Sequence, residues 1–176
     1  MLIVQPILIR KRKLAWHRTI GKVSYLLFPL IFLGIILLAH SRHPVDQKDL
    51  DIQLFVPFKD LLILGVAYFI AIRYRNTVEL HARGMIATGI VFIEPALARL
   101  LFTLMGESPW LYPITIFLIY SLLIFLIIRE RKQQKGRWVF PLVLSLYVVV
   151  HSVLLLNIHI PVWVQFSNWF ASLPLT

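Results

Sequence analysis

The chain of 176 residues has no cysteine, only 15% charged residues, and 8 acidic side chains against 18 basic ones. Each scarcity removes a class of protein. Without cysteine there is neither a disulfide framework nor a thiolate metal site. A soluble domain carries roughly 25% charged residues to cover its water-facing surface, and this chain falls well short. Disorder is excluded from the opposite side, because 59% of the residues are hydrophobic and disordered chains are poor in apolar side chains. No phosphate-cradling glycine loop, no HExxH and no nucleophile elbow is present, which removes soluble-type enzymes. A mean hydropathy of +0.81 leaves one class, the integral membrane protein.

What is present supports the same class. A net charge of +10 would suggest a nucleic-acid partner in a soluble protein. Here the basic residues fall in short runs between apolar stretches, the way a polytopic membrane protein carries its orientation signal. The expected partners are therefore the lipid bilayer and other membrane proteins, with no nucleic acid. A helix needs about 20 mostly apolar residues to cross a ~30 Å hydrocarbon core. The long apolar runs predict spans over 23–40, 57–73, 84–105, 110–128 and 138–160. The expected fold is an all-α polytopic transmembrane helix bundle, one membrane domain over 1–176, with about five spans and short interfacial segments at both ends. Pro57 reads as a first-turn residue, with Lys59 and Asp60 at the interface and Asp46, Lys48, Asp49 and Asp51 in a polar loop before it. Met1 to Ile9 is too short to cross. Val162, Phe166, Trp169, Phe170 and Leu173 recur at helical spacing and predict an interfacial helix over 162–173.

Orientation follows from the basic residues. Arg10 to Lys13, Arg18 and Lys22 precede the first span; Arg73, Arg75 and Arg83 lie between the second and third. Arg129, Arg131, Lys132, Lys135 and Arg137 lie between the fourth and fifth. With five spans these loops share one side and hold fourteen of the eighteen basic residues. The positive-inside rule then puts the N-terminal basic region in the cytoplasm and the C-terminus outside, in the plasma (inner) membrane of the cell.

Two constellations are candidates for chemistry. His17 and His81 stand at the same edge of the first and third spans, and imidazoles from two helices can ligate a b-type haem, the one candidate cofactor the residues suggest. Arg18 and Arg83 lie beside them as partners for propionates or another anion; His40 and His159 form a second pair at the opposite edge. Otherwise such residues anchor helix ends to headgroups. The second constellation is Glu94, Pro95 and Arg99 in the third span, where an ionisable side chain costs about 2.5–3.5 kcal/mol. Such groups need partners, and His151, about 20 Å into the fifth span, is within reach by depth. Together they suggest a polar pocket suited to a proton, a quinone headgroup or a small anion, or else a buried ion pair that fixes packing. Tyr25 and Tyr120 read as residues toward the cytoplasmic helix ends.

Some of these motifs form a wider pattern. Pro6-Ile7-Leu8-Ile9, the basic cluster Arg10 to Lys13, and His17-Arg18-Thr19-Ile20-Gly21 opening a helix are followed by His81-Ala82-Arg83-Gly84-Met85-Ile86-Ala87-Thr88 and by Pro95 with Arg99. From Gln5 to about Leu101 this resembles a group of small multi-pass bacterial membrane proteins with no assigned activity. The resemblance implies the membrane class and marks His17, Arg18, His81, Glu94 and Arg99. It also implies a full helix ahead of the basic cluster, of which Met1 to Ile9 would be the remnant. The His–Arg motifs at helix openings are loosely similar to cytochrome b-like bundles and to oxidase-assembly membrane proteins. The function expected is a haem b- or quinone-linked membrane redox protein. The alternative is a non-catalytic membrane subunit or assembly factor of a larger complex.

Overall fold

The computed structural model describes residues 4–44 and 48–175. Among these residues there are seven helices and no strand: α1 (Val4–Arg10), α2 (Leu14–Arg42), α3 (Leu50–Arg73), α4 (Val78–Met105), α5 (Leu111–Glu130), α6 (Val139–Leu155) and α7 (Pro161–Ala171). Helices α2 to α5 are long and apolar enough to cross a membrane, and α6 is a shorter apolar helix. The protein is thus an all-helical polytopic membrane bundle. Residues 1–3 of the short apolar N-terminus, and Asp46 of the first polar loop, lie outside the described residues.

Helix boundaries follow from local chemistry. The second spanning helix opens at Leu50, not at Pro57. Asp51 occupies its first turn, where a carboxylate complements the positive end of the helix dipole. Pro57 lies inside the helix, so the carbonyl of Gln53 loses its usual amide partner. Lys59 and Asp60 are consequently in the helix interior; their side chains meet at 2.7 Å, and that of Lys59 is fully buried. Helix α6 stops at Leu155, short of the predicted 160. Asn157 takes a left-handed φ of 50°, its amide donates to the carbonyl of Leu154 and that of Ile158 to Val153. This paired arrangement closes a helix, and Asn tolerates the left-handed position. With 17 residues, α6 is about 25 Å long.

The chain forms two compact units, Met1–Leu61 with Val153–Thr176, and Leu62–Ser152. The boundary falls inside α3 and α6. In the first unit the chain reverses after α1 by the same closing motif: Arg12 sits at φ 56°, its amide donates to Ile9, and that of Lys13 to Leu8. Helix α1 thereby lies back along the start of α2, where Gln5 Nε2 donates to the backbone carbonyl of His17 at 3.3 Å. Ala39, Leu50, Leu54 and Phe170 form the core of this unit. The Phe58 ring meets Trp163, Phe166 and Phe170 edge-on at 5.3–5.5 Å. Helix α7 is therefore held by its aromatic face, with Val162 and Trp169 left exposed. The indole N–H of Trp163 donates to the backbone carbonyl of Asp51 at 2.7 Å, and the Asp51 carboxylate pairs with His159 Nδ1 at 2.6 Å.

In the second unit α3 and α4 approach more closely than side chains permit. A Cβ on Gly84 would lie 2.6 Å from the backbone nitrogen of Ala71, and Ala67, Ala71 and Ala87 are buried around this contact zone. Small residues allow the near approach of backbones on which membrane helix packing depends. His81 Nδ1 lies 2.8 Å from the carbonyl oxygen of Ala71, one of the last carbonyls of α3, which have no amide partner within the helix. Ile119, Leu123, Val139, Phe140, Val143 and Tyr147 complete the core. Buried Arg83 reaches from α4 across the α5–α6 connection, donating from Nε to the Glu130 carboxylate and from Nη1 to the carbonyl of Lys135.

Candidate functional site

Three helices bring one polar group each to a common point in the second unit. Glu94 comes from α4, Tyr120 from the middle of α5 and His151 from α6. Glu94 Oε1 lies 3.3 Å from His151 Nε2, and His151 Nδ1 lies 3.2 Å from the Tyr120 hydroxyl. The side chains of Glu94 and His151 are 7% and 1% exposed, so the contact is made in a low-dielectric interior. Tyrosine rings wall it in. Tyr120 stacks on the imidazole at 5.7 Å, Tyr147 tilts against it at 5.4 Å, and Tyr112 meets it edge-on at 5.8 Å. Pro95 follows Glu94 inside α4, so the carbonyl of buried Val91 has no amide partner one turn on.

The chemistry of this chain is that of alternating donors and acceptors. With a neutral imidazole, Nε2–H donates to the Glu94 carboxylate and the Tyr120 hydroxyl donates to Nδ1. Adding a proton turns both imidazole nitrogens into donors, and the tyrosine oxygen then accepts from Nδ1. Both arrangements use the same two contacts.

Beside it lies an open recess of about 490 Å3 between α4 and α5, lined by Ala98, Arg99, Phe102, Thr103, Leu111, Tyr112 and Thr115. The hydroxyls of Thr103 and Thr115 donate to backbone carbonyls of their own helices, those of Arg99 and Leu111. The charged group of the recess is Arg99, and among the described residues no carboxylate pairs with it. Tyr112 belongs to both places: it lines the recess, and its ring touches His151.

The residues singled out from sequence are thus sorted by the fold. Glu94 and His151 come together, while Arg99 lies in the adjoining recess. Arg83 holds Glu130 and the Lys135 carbonyl, and His81 holds the end of α3. His17 and exposed Arg18 belong to the first unit, His81 and Arg83 to the second. In the first unit buried His40 meets the Phe170 ring edge-on at 5.4 Å, and His159 pairs with Asp51. Among the described residues no three His, Asp or Glu side chains converge as a metal centre would need. Tyr120 is the member that sequence reasoning places elsewhere. It is no residue of a helix end, since its hydroxyl meets His151 inside the unit; the available signal was a phenol hydroxyl at the middle of a long helix uncharged up to Arg129. The chain matches no family model, no curated protein and no solved structure.

Proposed function

We propose that the protein is a quinone-linked membrane redox component, in which the α4–α5 recess receives a quinone headgroup and the Glu94–His151–Tyr120 chain exchanges a proton with it. The observation that carries this reading is the position of Tyr112, shared between the recess and the imidazole. A headgroup oxygen is an acceptor, which the Arg99 guanidinium suits, and the apolar lining of Phe102 and Leu111 suits a lipid-soluble tail. The protein's own residues handle the proton. Electrons require a redox partner or a haem bound alongside. The bias of fourteen basic residues to one side supports an N-terminal segment in the cytoplasm and a C-terminus outside, and the proposal takes the membrane to be the plasma membrane.

The test is titration of purified protein in detergent with a short-tailed quinone, followed by intrinsic fluorescence. Saturable binding is expected, weakened about tenfold by Arg99→Gln, the loss of one charge-assisted hydrogen bond. Glu94→Gln is expected to keep binding while abolishing its dependence on pH. A folded protein without saturable binding would overturn the reading. A Soret band that disappears in His81→Ala would add the haem. The second reading, a non-catalytic subunit or assembly factor, is favoured by α2, which buries only Ala39 and His40 of its 29 residues. It predicts a colourless, quinone-free protein that is stable only within a larger membrane complex.

A further inference from the structure

The geometry points to the α1–α2 turn as a binding surface for acidic phospholipid headgroups. This inference rests on the membrane class of the protein and not on the quinone reading. Arg10, Lys11, Arg12, Lys13, Arg18 and Lys22 are all exposed, and none of them joins an ion pair among the described residues. No acidic residue precedes Asp46 in the chain, so the segment supplies no counter-charge of its own. The closing motif at Arg12 folds α1 back on α2, and Arg18 and Lys22 lie one turn apart on a single face of α2. Arg10 to Lys13 are thereby gathered at the turn of a short helical hairpin, with Arg18 and Lys22 farther along its longer arm, where Gln5 meets α2.

What surrounds the charges decides between kinds of polyanion. Ile7, Ile9, Leu14 and Trp16 are 46%, 51%, 53% and 62% exposed, directly beside the basic turn. A nucleic acid would leave these apolar side chains in water. The boundary between headgroups and acyl chains takes both: acidic phosphates pair with the cations, and the apolar residues and the Trp16 ring enter below them. The basic stretch 129–137 differs in carrying an acidic residue, Glu130, among its cations, and in being tied to α4 through Arg83.

Native mass spectrometry of the purified full chain tests the surface. Phosphatidylglycerol should be retained about tenfold more than phosphatidylcholine with the same acyl chains, since each basic residue near an acidic surface contributes severalfold. The preference should vanish when Arg10, Lys11, Arg12 and Lys13 are changed to Gln. It should persist when Arg131, Lys132, Lys135 and Arg137 are changed to Gln. Absence of any preference in the wild type, or equal loss in both variants, overturns the proposal. So does abolition of the preference by millimolar inorganic phosphate, or tighter binding of RNA than of phosphatidylglycerol. Should the first variant fail to fold, brominated lipids read the intact surface instead. Wild-type fluorescence should then be quenched more by brominated phosphatidylglycerol than by brominated phosphatidylcholine, with the excess missing in Trp16→Phe. Equal quenching by the two lipids overturns the proposal.

Discussion

Arg83 shows how much one side chain can tie together in a small membrane protein. Its guanidinium has the forked geometry to hold a carboxylate and a carbonyl at once. Gly136, at φ 76°, leaves the space, since a Cβ there would stand 2.7 Å from Arg83 Nη1. Arg83→Gln should cost about 3 kcal/mol, the low end for breaking a buried pair, because the Glu130 side chain is still 24% exposed. Arg83→Gln with Glu130→Gln should cost less than the two single changes added, a coupling measurable by SDS or urea unfolding in detergent. The Glu94–His151–Tyr120 chain calls for the opposite outcome. Buried polar clusters are weak contributors to stability and can be replaced by apolar groups at little cost. The triple change Glu94→Leu, His151→Phe, Tyr120→Phe is therefore expected to leave stability unchanged or raise it, while proton-dependent ligand binding disappears. His151→Phe alone should destabilise by about 3 kcal/mol, because it takes the imidazole from a carboxylate that stays buried. Loss of stability in the triple variant would instead mark the cluster as structural.

Among the elements, the α3–α4 hairpin is the most constrained. The atoms nearest a Cβ at Gly84 are the backbone nitrogen and Cα of Ala71, and neither can rotate away. Gly84→Ala should cost about 1–3 kcal/mol as overpacking, and adding Ala71→Gly should not restore it, because the obstruction is backbone. Thermal unfolding of the single and double variants in detergent checks both statements. The same elements show where sequence patterns inform and where they stop. Long apolar runs reveal α2 to α5 because a bilayer imposes their length. Pro57 misleads about the start of α3 because proline suits a first turn, yet Asp51 and the packing of Leu50 and Leu54 carry the helix farther back. Glu94 and His151 are legible as partners because a carboxylate and an imidazole in hydrocarbon each need one. Tyr120 is not, since a membrane tyrosine more often marks an interface, and only the packing of α5 against α4 and α6 brings its hydroxyl inward. The close approach at Gly84 is permitted by a small residue that the sequence displays, but which backbone it meets, that of Ala71, is set by the two helices together.

At the scale of the whole molecule the absence of cysteine becomes an experimental asset, because every introduced thiol is the only one in the chain. The open quantity is the number of crossings. Helices α2 to α5 satisfy the length of a span, whereas α6 covers about 25 Å of a ~30 Å core. Lipid can thin locally to meet a short helix at modest cost, and no charged residue follows Arg137 to hold α6 at the surface. Five crossings are therefore expected. Single cysteines at Lys11, Lys48, Gln133 and Ser172, exposed to a membrane-impermeant thiol reagent on intact cells, decide it. Lys48→Cys should label from outside, and Lys11→Cys and Gln133→Cys only after permeabilisation, as the basic bias requires. Ser172→Cys should label from outside if α6 crosses. Protection of Ser172→Cys together with Gln133→Cys would reduce the count to four and put α7 in the cytoplasm. Labelling of Lys11→Cys or Gln133→Cys on intact cells would overturn the orientation itself, which three separate basic segments support.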